Sequence, residues 1–288
     1  MSGETEFSKL DFSAWVGRSE TSEGVIAAFP ADYFTATLDR DDAPFADGDA
    51  LPPAWHYFYF PEIVKLADTG RDGHQAVGHF MPPVPLPRRM WAGSKMTFDD
   101  PIRIGEKVKK VVTISDVSPK EGKSGKLCFV TMTEEVFGED GRLTTVEERT
   151  QVYREATDPN APPPAPRPAP AEAVWSRPIH PTSVLLFRYS ALTMNSHRIH
   201  YDKDYVRDVE GYPGLLVHGP LTMTLMLDLF RRELPGATLK TLDLRAVSPV
   251  YDTMDFSVHG APTGDGAAKL WAMTGEGALA MQADVTYV

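Results

Sequence analysis

The longest apolar segment of the sequence runs from residue 215 to residue 234 and predicts a buried helix. Leu221, Leu225 and Leu229 form one row at a spacing of four, and apolar side chains occur on nearly every other side of the segment. A surface helix would keep one polar face, so this pattern indicates a helix enclosed by the rest of the fold. Pro220 fits the predicted first turn, where its missing N–H costs nothing.

Alternating apolar and polar positions follow this helix and predict strands, most clearly at residues 254–258 and 279–287. Upstream of the helix, residues 184–189, which are apolar except for Arg188, predict a further short strand. One helix followed by antiparallel strands is an α+β arrangement. A sheet that wraps the helix would explain why the helix is apolar on all sides.

The first half of the chain shows the same order of elements. Residues 54–67 form an apolar, aromatic stretch that predicts its helix, and residues 123–125 predict a turn between strands. Three strand patterns follow the predicted helix, at residues 107–117, 126–137 and 143–154. Segments 97–102 and 245–250 echo each other, since each has an apolar strand end followed by proline and a β-branched residue. The sequence therefore predicts two copies of one unit.

A proline-rich segment separates the two halves. Residues 157–172 contain seven prolines in sixteen positions, and such sequence stays extended and acts as a semi-rigid spacer. We therefore expect a first domain over residues 1–156 and a second over residues 173–288. A proline-rich binding motif is the alternative interpretation of the segment.

Composition narrows the possible partners and the location. The net charge of −11 at pH 7 argues against nucleic acid, which requires a basic face. The sequence has no basic, apolar leader and no apolar stretch of the roughly 20 residues that span a bilayer, which predicts a cytoplasmic protein without a membrane partner. A single cysteine, Cys128, excludes an intrachain disulfide and a zinc site built from cysteines.

The densest group of reactive side chains lies at residues 195–202, just before the buried helix. His197 and His200 have a spacing that allows metal binding, but no cysteine or Glu-x-x-His partner accompanies them. A second interpretation makes them structural residues that hydrogen-bond the loop. The third, which we favour, makes His200 a general acid and base, because imidazole titrates near neutral pH.

His218 and Gly219 mark the predicted start of the buried helix. Backbone N–H groups at a helix start are unpaired and carry the positive end of the helix dipole. Glycine lets a ligand come close to the backbone, so the Gly219 N–H could bind an oxyanion that develops during a reaction. An ordinary helix start is the alternative interpretation of this glycine.

At these residues the chain resembles the MaoC-like, (R)-specific hydratase family. Within that family, it resembles the branch of 3-hydroxyacyl-thioester dehydratase, mesaconyl-C4-CoA hydratase and itaconyl-CoA hydratase. Residues 187–221, FRYSALTMNSHRIHYDKDYVRDVEGYPGLLVHGPL, carry the resemblance. Residues 51–60, 78–93 and 152–155 extend it over most of the chain. The resemblance implies an α+β double hot-dog fold, in which two sheets each wrap a helix.

The resemblance also implies roles for individual residues. His200 matches the catalytic histidine of the family motif, and Gly219 matches the glycine whose amide binds the oxyanion. Asn195 stands at the position of the motif's catalytic aspartate, and an amide cannot act as a general base. We expect Asn195 to orient a water molecule while His200 moves the proton. The alternative is help from another carboxylate, Asp202 or Asp204.

The activity implied is that of a hydro-lyase that reversibly hydrates an enoyl-CoA thioester without a cofactor or a metal. The acyl group is either a short branched dicarboxylic acid or a longer 3-hydroxyacyl chain. The alternatives are a hot-dog thioesterase and a non-catalytic acyl-CoA-binding protein. A homodimer is the assembly that the resemblance suggests. The residues predicted to contact the substrate are His197, Arg198, Tyr201, His218, Arg88 and Arg89. The three arginines among them are candidates to face a distal carboxylate.

Overall fold

The computed structural model describes residues 7–122, 125–156 and 165–288, and its main feature is a ten-stranded sheet. The strands are β1 (Ser19–Val25), β2 (Arg88–Phe98), β3 (Lys107–Gly122), β4 (Gly125–Phe137), β5 (Leu143–Arg154), β6 (Trp175–Ile179), β7 (Leu239–Ala246), β8 (Phe256–Gly264), β9 (Ala267–Thr274) and β10 (Leu279–Tyr287). The helices are α1 (Ala28–Thr37), α2 (Ser183–Thr193), α3 (Lys203–Asp208) and α4 (Gly219–Glu233). Short 3-10 helices lie at Phe7–Lys9, Trp55–Phe58, Leu66–Asp68 and Arg198–His200.

The strand order shows that the two halves repeat one topology. Across the sheet it runs β1-β3-β4-β5-β2-β7-β10-β9-β8-β6, and neighbouring strands are antiparallel. Counted outward from the centre, each half places its second strand first, then its fifth, fourth, third and first. β2 and β7 join the halves, with Gly93 opposite Arg245 and Thr97 opposite Thr241. The echoing segments 97–102 and 245–250 therefore continue from the two central strands.

Helix α4 is buried throughout its middle, as the sequence predicts. The ten residues from 221 to 230 are all buried, and β8 and β9 pack against the helix. Strands β3, β4, β5 and β10 also lie where the alternation predicts them, and β8 begins at Phe256, two residues after the predicted start. Within the described ranges, none of the helices is long and apolar enough to cross a bilayer. The cytoplasmic location and the homodimer stay predictions.

One buried charge ties α4 to both halves. Asp228 has a fully buried side chain, and its two carboxylate oxygens accept hydrogen bonds of 2.8 Å each from Arg40, Arg177 and Arg232. Arg177 and Arg232 also donate to the Leu38 carbonyl oxygen at 2.9 Å. Since Leu38 directly follows α1 and Arg177 lies in β6, this network joins α1, β6 and α4. A buried carboxylate is tolerated only with such partners.

The strand predicted at residues 184–189 is wrong, because this segment belongs to helix α2. Leu186 and Tyr189 are buried at a spacing of three, whereas Val184 and Phe187 are exposed, which is a helical pattern. Thr182 caps the helix by accepting a hydrogen bond from the Leu185 N–H. Six residues are too few to distinguish the period of a helix from that of a strand, and the cap at Thr182 is what marks a helix.

The helix predicted at residues 54–67 is also wrong. Only the 3-10 turns at Trp55–Phe58 and Leu66–Asp68 form there. Pro61 explains the break, because proline lacks an N–H and disfavours helical backbone at the residue before it. The long helix of the first half is instead α1, which follows β1 as α2 follows β6. No α4 equivalent lies between α1 and β2 in this fully described part of the chain.

The proline-rich segment and one predicted turn fall partly outside the described residues, namely at 157–164 and 123–124. The rest of the segment lies against the β9–β10 turn, where the Leu279 N–H donates to the Arg167 carbonyl oxygen at 2.7 Å. The domain boundaries predicted from the sequence stay predictions.

Replacing Asp228 with alanine should strongly destabilise the fold. The change leaves three arginines without their shared counter-charge, which costs about 3–5 kcal/mol of unfolding free energy for a buried ion pair that loses one partner. Urea unfolding followed by tryptophan fluorescence measures it. The matched control is Asp284→Ala, because Asp284 is an exposed partner of Lys269 at 3.4 Å and such pairs contribute less than about 1 kcal/mol. Equal losses in both variants would contradict the role of this network.

Candidate active site

Two histidines meet at the start of α4. His200 ends the 3-10 turn Arg198–His200, and His218 is the residue just before α4. Their rings are stacked, with centroids 3.7 Å apart and planes at 19°. Both side chains are buried. The structure therefore places the His200 ring against His218, the residue that precedes Gly219 at the helix start.

His200 is held as a neutral imidazole with one nitrogen free to act as a base. Its Nδ1 lies 2.8 Å from the Leu216 carbonyl oxygen, and because a carbonyl only accepts, Nδ1 carries the proton. Burial lowers the pKa of His200 to about 4, against the opposing effect of the Leu216 hydrogen bond. At neutral pH the Nε2 lone pair is therefore available.

His218 supports this arrangement by stacking against the His200 ring. Its Nε2 lies 2.8 Å from the Ser190 hydroxyl, and its ring is 4.9 Å from that of Tyr189. Burial lowers its pKa well below the ordinary value, with smaller contributions from His200 and His197. His218 is thus a neutral, fully enclosed platform on which the His200 ring lies.

Gly219 is glycine for a reason that the sequence does not reveal. A Cβ at this position would lie 2.6 Å from Cε3 of Trp91, which belongs to β2 of the first half. The close approach is therefore made by an indole ring, whereas the sequence suggested a ligand. Within the described part of the chain, no oxygen accepts a hydrogen bond from the Gly219 N–H, as expected at a helix start.

Trp91 is itself anchored to a buried polar network. Its Nε1 donates to the Ser94 hydroxyl at 3.1 Å, and Ser94 in turn donates to Glu147. Glu147 also accepts a hydrogen bond of 2.8 Å from the Tyr57 hydroxyl and pairs with Arg149 at 2.9 Å. The start of α4 is thus braced by side chains of the first half that sequence analysis did not single out.

A loop of the first half, residues 70–74, docks on the histidine-rich segment. The Arg198 N–H donates to the Asp72 carbonyl oxygen at 2.8 Å, and the Ser196 hydroxyl donates to the Gly73 carbonyl oxygen at 2.6 Å. Gly73 has φ +90°, and a Cβ there would clash with the Ser196 carbonyl oxygen. Only glycine fits this contact.

The docked loop adds His74 to a row of rings that His197, His200 and His218 begin. The ring centroids of His74 and His197 are 4.2 Å apart, and those of His197 and His200 are 5.6 Å apart with the rings edge-on. Burial lowers the pKa of His197 to about 3 and that of His74 well below its ordinary value. The nearby charge of Arg89 lowers both further. The row is therefore neutral at physiological pH.

Asp72, His74 and His197 form a group with the spacing of a metal site. One ligand atom of each residue lies within 4.8 Å of the ligand atoms of the other two. Among the described residues, this is the group of three possible ligand side chains that lie so close together. Of the pair considered from the sequence, His197 belongs to this group and His200 does not. A single water oxygen satisfies the same spacing, since partners about 2.8 Å from a tetrahedral centre lie about 4.6 Å apart.

Asn195 shapes the loop. Its Oδ1 accepts a hydrogen bond of 3.0 Å from the His197 backbone N–H. This contact between a side chain and the backbone two residues on is an Asx turn. The expected role of Asn195 in orienting water stays a prediction. With Oδ1 engaged, the NH₂ group of the side chain is the part left for that role.

The three candidate arginines differ in their partners. Arg198 pairs with Asp202 at 2.7 Å, and Arg88 approaches Glu210 at 3.7 Å and covers the Tyr212 ring. Arg89 faces the histidine row, and its Nη2 lies 3.8 Å from the Asp72 carboxylate, which is too long for a direct hydrogen bond. Tyr201 is half exposed at 51%. Arg89 is therefore the arginine best placed to meet a substrate.

A cavity of about 300 Å³ lies at the other end of α4, away from the histidine row. Leu227 and Phe230 of α4 line it together with Leu51 and Leu239, and His56 borders it. Burial lowers the pKa of His56 to about 4. The cavity lies between the end of α4 and the strand ends of both halves.

The fold defines a double hot-dog protein. A MaoC-like dehydratase from Phytophthora capsici superposes with a TM-score of 0.68 at 14% identity, over 94% of this chain and 96% of that chain. A Mycobacterium tuberculosis protein described as a double hot-dog fold matches over 100% of both chains, with a TM-score of 0.58 and 13% identity. These likenesses concern the fold.

Within this class, the chain belongs to the hydroxyacyl-thioester dehydratase type 2 family, whose sequence profile matches residues 54–252. It is 40% identical over 280 residues to the mesaconyl-C(4)-CoA hydratase of Chloroflexus aurantiacus, covering 96% of this chain and 98% of that protein. It is 25% identical over 240 residues to the mitochondrial hydroxyacyl-thioester dehydratase type 2 of Schizosaccharomyces pombe, covering 75% of this chain and 79% of that protein. The family and fold expected from the sequence are confirmed.

Replacing Gly219 with alanine should disturb the helix start through Trp91. The added methyl group meets the indole at 2.6 Å, and such overpacking costs about 1–3 kcal/mol of unfolding free energy. The smaller side chain of Trp91→Leu should restore part of the loss in the double variant, and urea unfolding of the four proteins measures the coupling. Purely additive losses would show that Trp91 is not what restricts position 219.

Proposed function

We propose that the protein reversibly hydrates the double bond of an enoyl-CoA thioester. The observation that carries the proposal is the neutral, buried imidazole of His200, whose Nδ1 is fixed by Leu216 beside the unpaired N–H groups of α4. Membership in the hydroxyacyl-thioester dehydratase type 2 family supports the same reaction. The protein is accordingly a hydro-lyase.

The reaction needs one base and one oxyanion donor. The thioester oxygen lies at the Gly219 N–H, and a water oxygen bonds to the β-carbon while its proton passes to Nε2 of His200. The π electrons of the double bond move toward the thioester oxygen, where the helix start stabilises the enolate. The α-carbon then takes the proton from His200, which returns to its neutral form. Dehydration is the same path in reverse.

A short dicarboxylic acyl group is the substrate that the site supports best. The 40% identical relative from Chloroflexus aurantiacus is named for mesaconyl-C(4)-CoA. Arg89 offers a guanidinium beside the histidine row, and guanidinium binds carboxylate in a bidentate manner. A longer 3-hydroxyacyl thioester is the second candidate, because the Schizosaccharomyces pombe relative is named for hydroxyacyl thioesters.

His200→Ala should remove most of the hydratase activity. Loss of the general base lowers kcat by about 10²–10⁴-fold. The loss of conjugated thioester absorbance with mesaconyl-C4-CoA, itaconyl-CoA and crotonyl-CoA measures it. His180→Ala is the matched control, since His180 is exposed and pairs with Asp255 at the surface. Release of free CoA thiol by the wild type would instead identify a thioesterase, and binding without a change in absorbance would identify a binding protein.

Arg89→Met should discriminate between substrates. A lost charge-assisted hydrogen bond is worth about 1.5–3 kcal/mol, so KM for a dicarboxylic enoyl-CoA should rise about 10- to 100-fold. KM for crotonyl-CoA, which has no distal carboxylate, should stay close to the wild-type value. Arg207→Met is the control, because Arg207 pairs with Asp204 and Asp208 on the exposed face of α3. Equal losses for both substrates would assign Arg89 to a structural role.

A further inference from the structure

We infer that Asp72, from the first half of the chain, supplies the carboxylate that position 195 lacks, and that with His74 and His197 it holds the attacking water beside His200. The inference rests on the proposed hydration of an enoyl thioester and adds a catalytic residue to it. It also means that the active site draws a reacting group from each half.

The carboxylates closest to His200 in the sequence are already engaged. Asp202 caps α3 by accepting from the Tyr205 N–H at 3.0 Å, and its other oxygen pairs with Arg198 at 2.7 Å. Asp204 has a side chain that is 84% exposed and pairs with Arg207. Both alternatives considered from the sequence are thus held by other partners.

Asn195 cannot take over the missing role. Its Oδ1 already accepts from the His197 N–H, so the rest of the side chain is an NH₂ group that only donates. The attacking water gives one proton to His200 and needs a second acceptor for its other hydrogen, whereas Oδ1 of Asn195 is already engaged by the His197 N–H. The second acceptor therefore comes from another element.

Asp72 meets the requirements of position, charge and access. One of its carboxylate oxygens lies within 4.8 Å of a ring nitrogen of both His74 and His197. Its side chain is 34% exposed, so water reaches it, and Nη2 of Arg89 lies 3.8 Å from its carboxylate, which is too long for a direct hydrogen bond. At least one carboxylate oxygen is therefore available to a ligand.

The loop that carries Asp72 is fixed against the catalytic segment. Its backbone oxygens accept hydrogen bonds from Ser196 and Arg198, and Gly73 fits the contact because it has no side chain. The Asp72 carboxylate also accepts from the His74 N–H at 3.1 Å, which orients it. A fixed carboxylate and two neutral imidazoles can together hold one water oxygen at ordinary hydrogen-bond lengths.

In the chemical step Asp72 remains a carboxylate. It accepts a hydrogen bond from one hydrogen of the water, while the other proton moves to Nε2 of His200 as the oxygen bonds to the β-carbon. The double-bond electrons move to the thioester oxygen, and the α-carbon then takes the proton back from His200. During the step, the negative charge of Asp72 stabilises the cationic imidazole of His200, which is separated from Asp72 by the ring of His197.

The test compares Asp72→Asn with the matched control Asp68→Asn, since Asp68 is an exposed residue of the same loop region. Asp72→Asn keeps the shape of the side chain but removes the charge, so kcat should fall by at least about 10²-fold while KM changes little. The control should keep the wild-type kcat. Formate added to Asp72→Ala should restore part of kcat, a readout that a purely structural role would not give. Formate rescue also shows that the variant is folded.

The outcomes separate this inference from the proposed function. If the wild type hydrates enoyl-CoA and Asp72→Asn keeps more than about half of kcat, the inference is wrong and the function stands. If the wild type does not hydrate any thioester, both fall. Loss of wild-type activity with EDTA and its return with Zn²⁺ would show that the three side chains hold a metal in place of water. His74→Gln, which removes a second member of the group, should also lower kcat and leave the unfolding midpoint close to that of the wild type.

Discussion

At the centre of the sheet, β2 of the first half pairs with β7 of the second, and this pairing positions the whole site. It holds Trp91 against Gly219 and thereby fixes where the first turn of α4 begins. It also brings Arg89, at the start of the same strand, to the histidine row. A strand of one half thus sets the geometry of residues that belong to the other.

Burial then determines the chemistry of the histidine row. Four imidazoles in a small volume would repel one another if they were charged, and removal from water favours their neutral forms. Neutral rings can stack and share edges, which lets His218 act as a platform for His200. The result is a base that is available at neutral pH and fixed by one carbonyl of the loop, Leu216.

Sequence patterns revealed the parts of this structure that depend on local order. Helix α4 and strand β10 follow from long, regular periods. Helix α2 does not, because six residues, five of them apolar, are too few to define a period. In the first half, Pro61 interrupts the expected helix. In the site, His200 could be found from its neighbours in the chain. Asp72 and Trp91 could not be found in this way. Each contacts the second half only after folding, and the residues it contacts there, Arg198 for Asp72 and Gly219 for Trp91, lie more than 100 positions away in the chain.

The matching strand orders of the two halves suggest an origin in gene duplication and fusion. In an ancestral homodimer, two identical copies would have paired through the edge strands now represented by β2 and β7, and each would have carried its own long helix. In the present chain, no counterpart of α4 lies between α1 and β2, a fully described segment. The first half covers the β7 edge of the second through β2, and a gene fragment encoding the second half alone would leave that edge unpaired and open to aggregation.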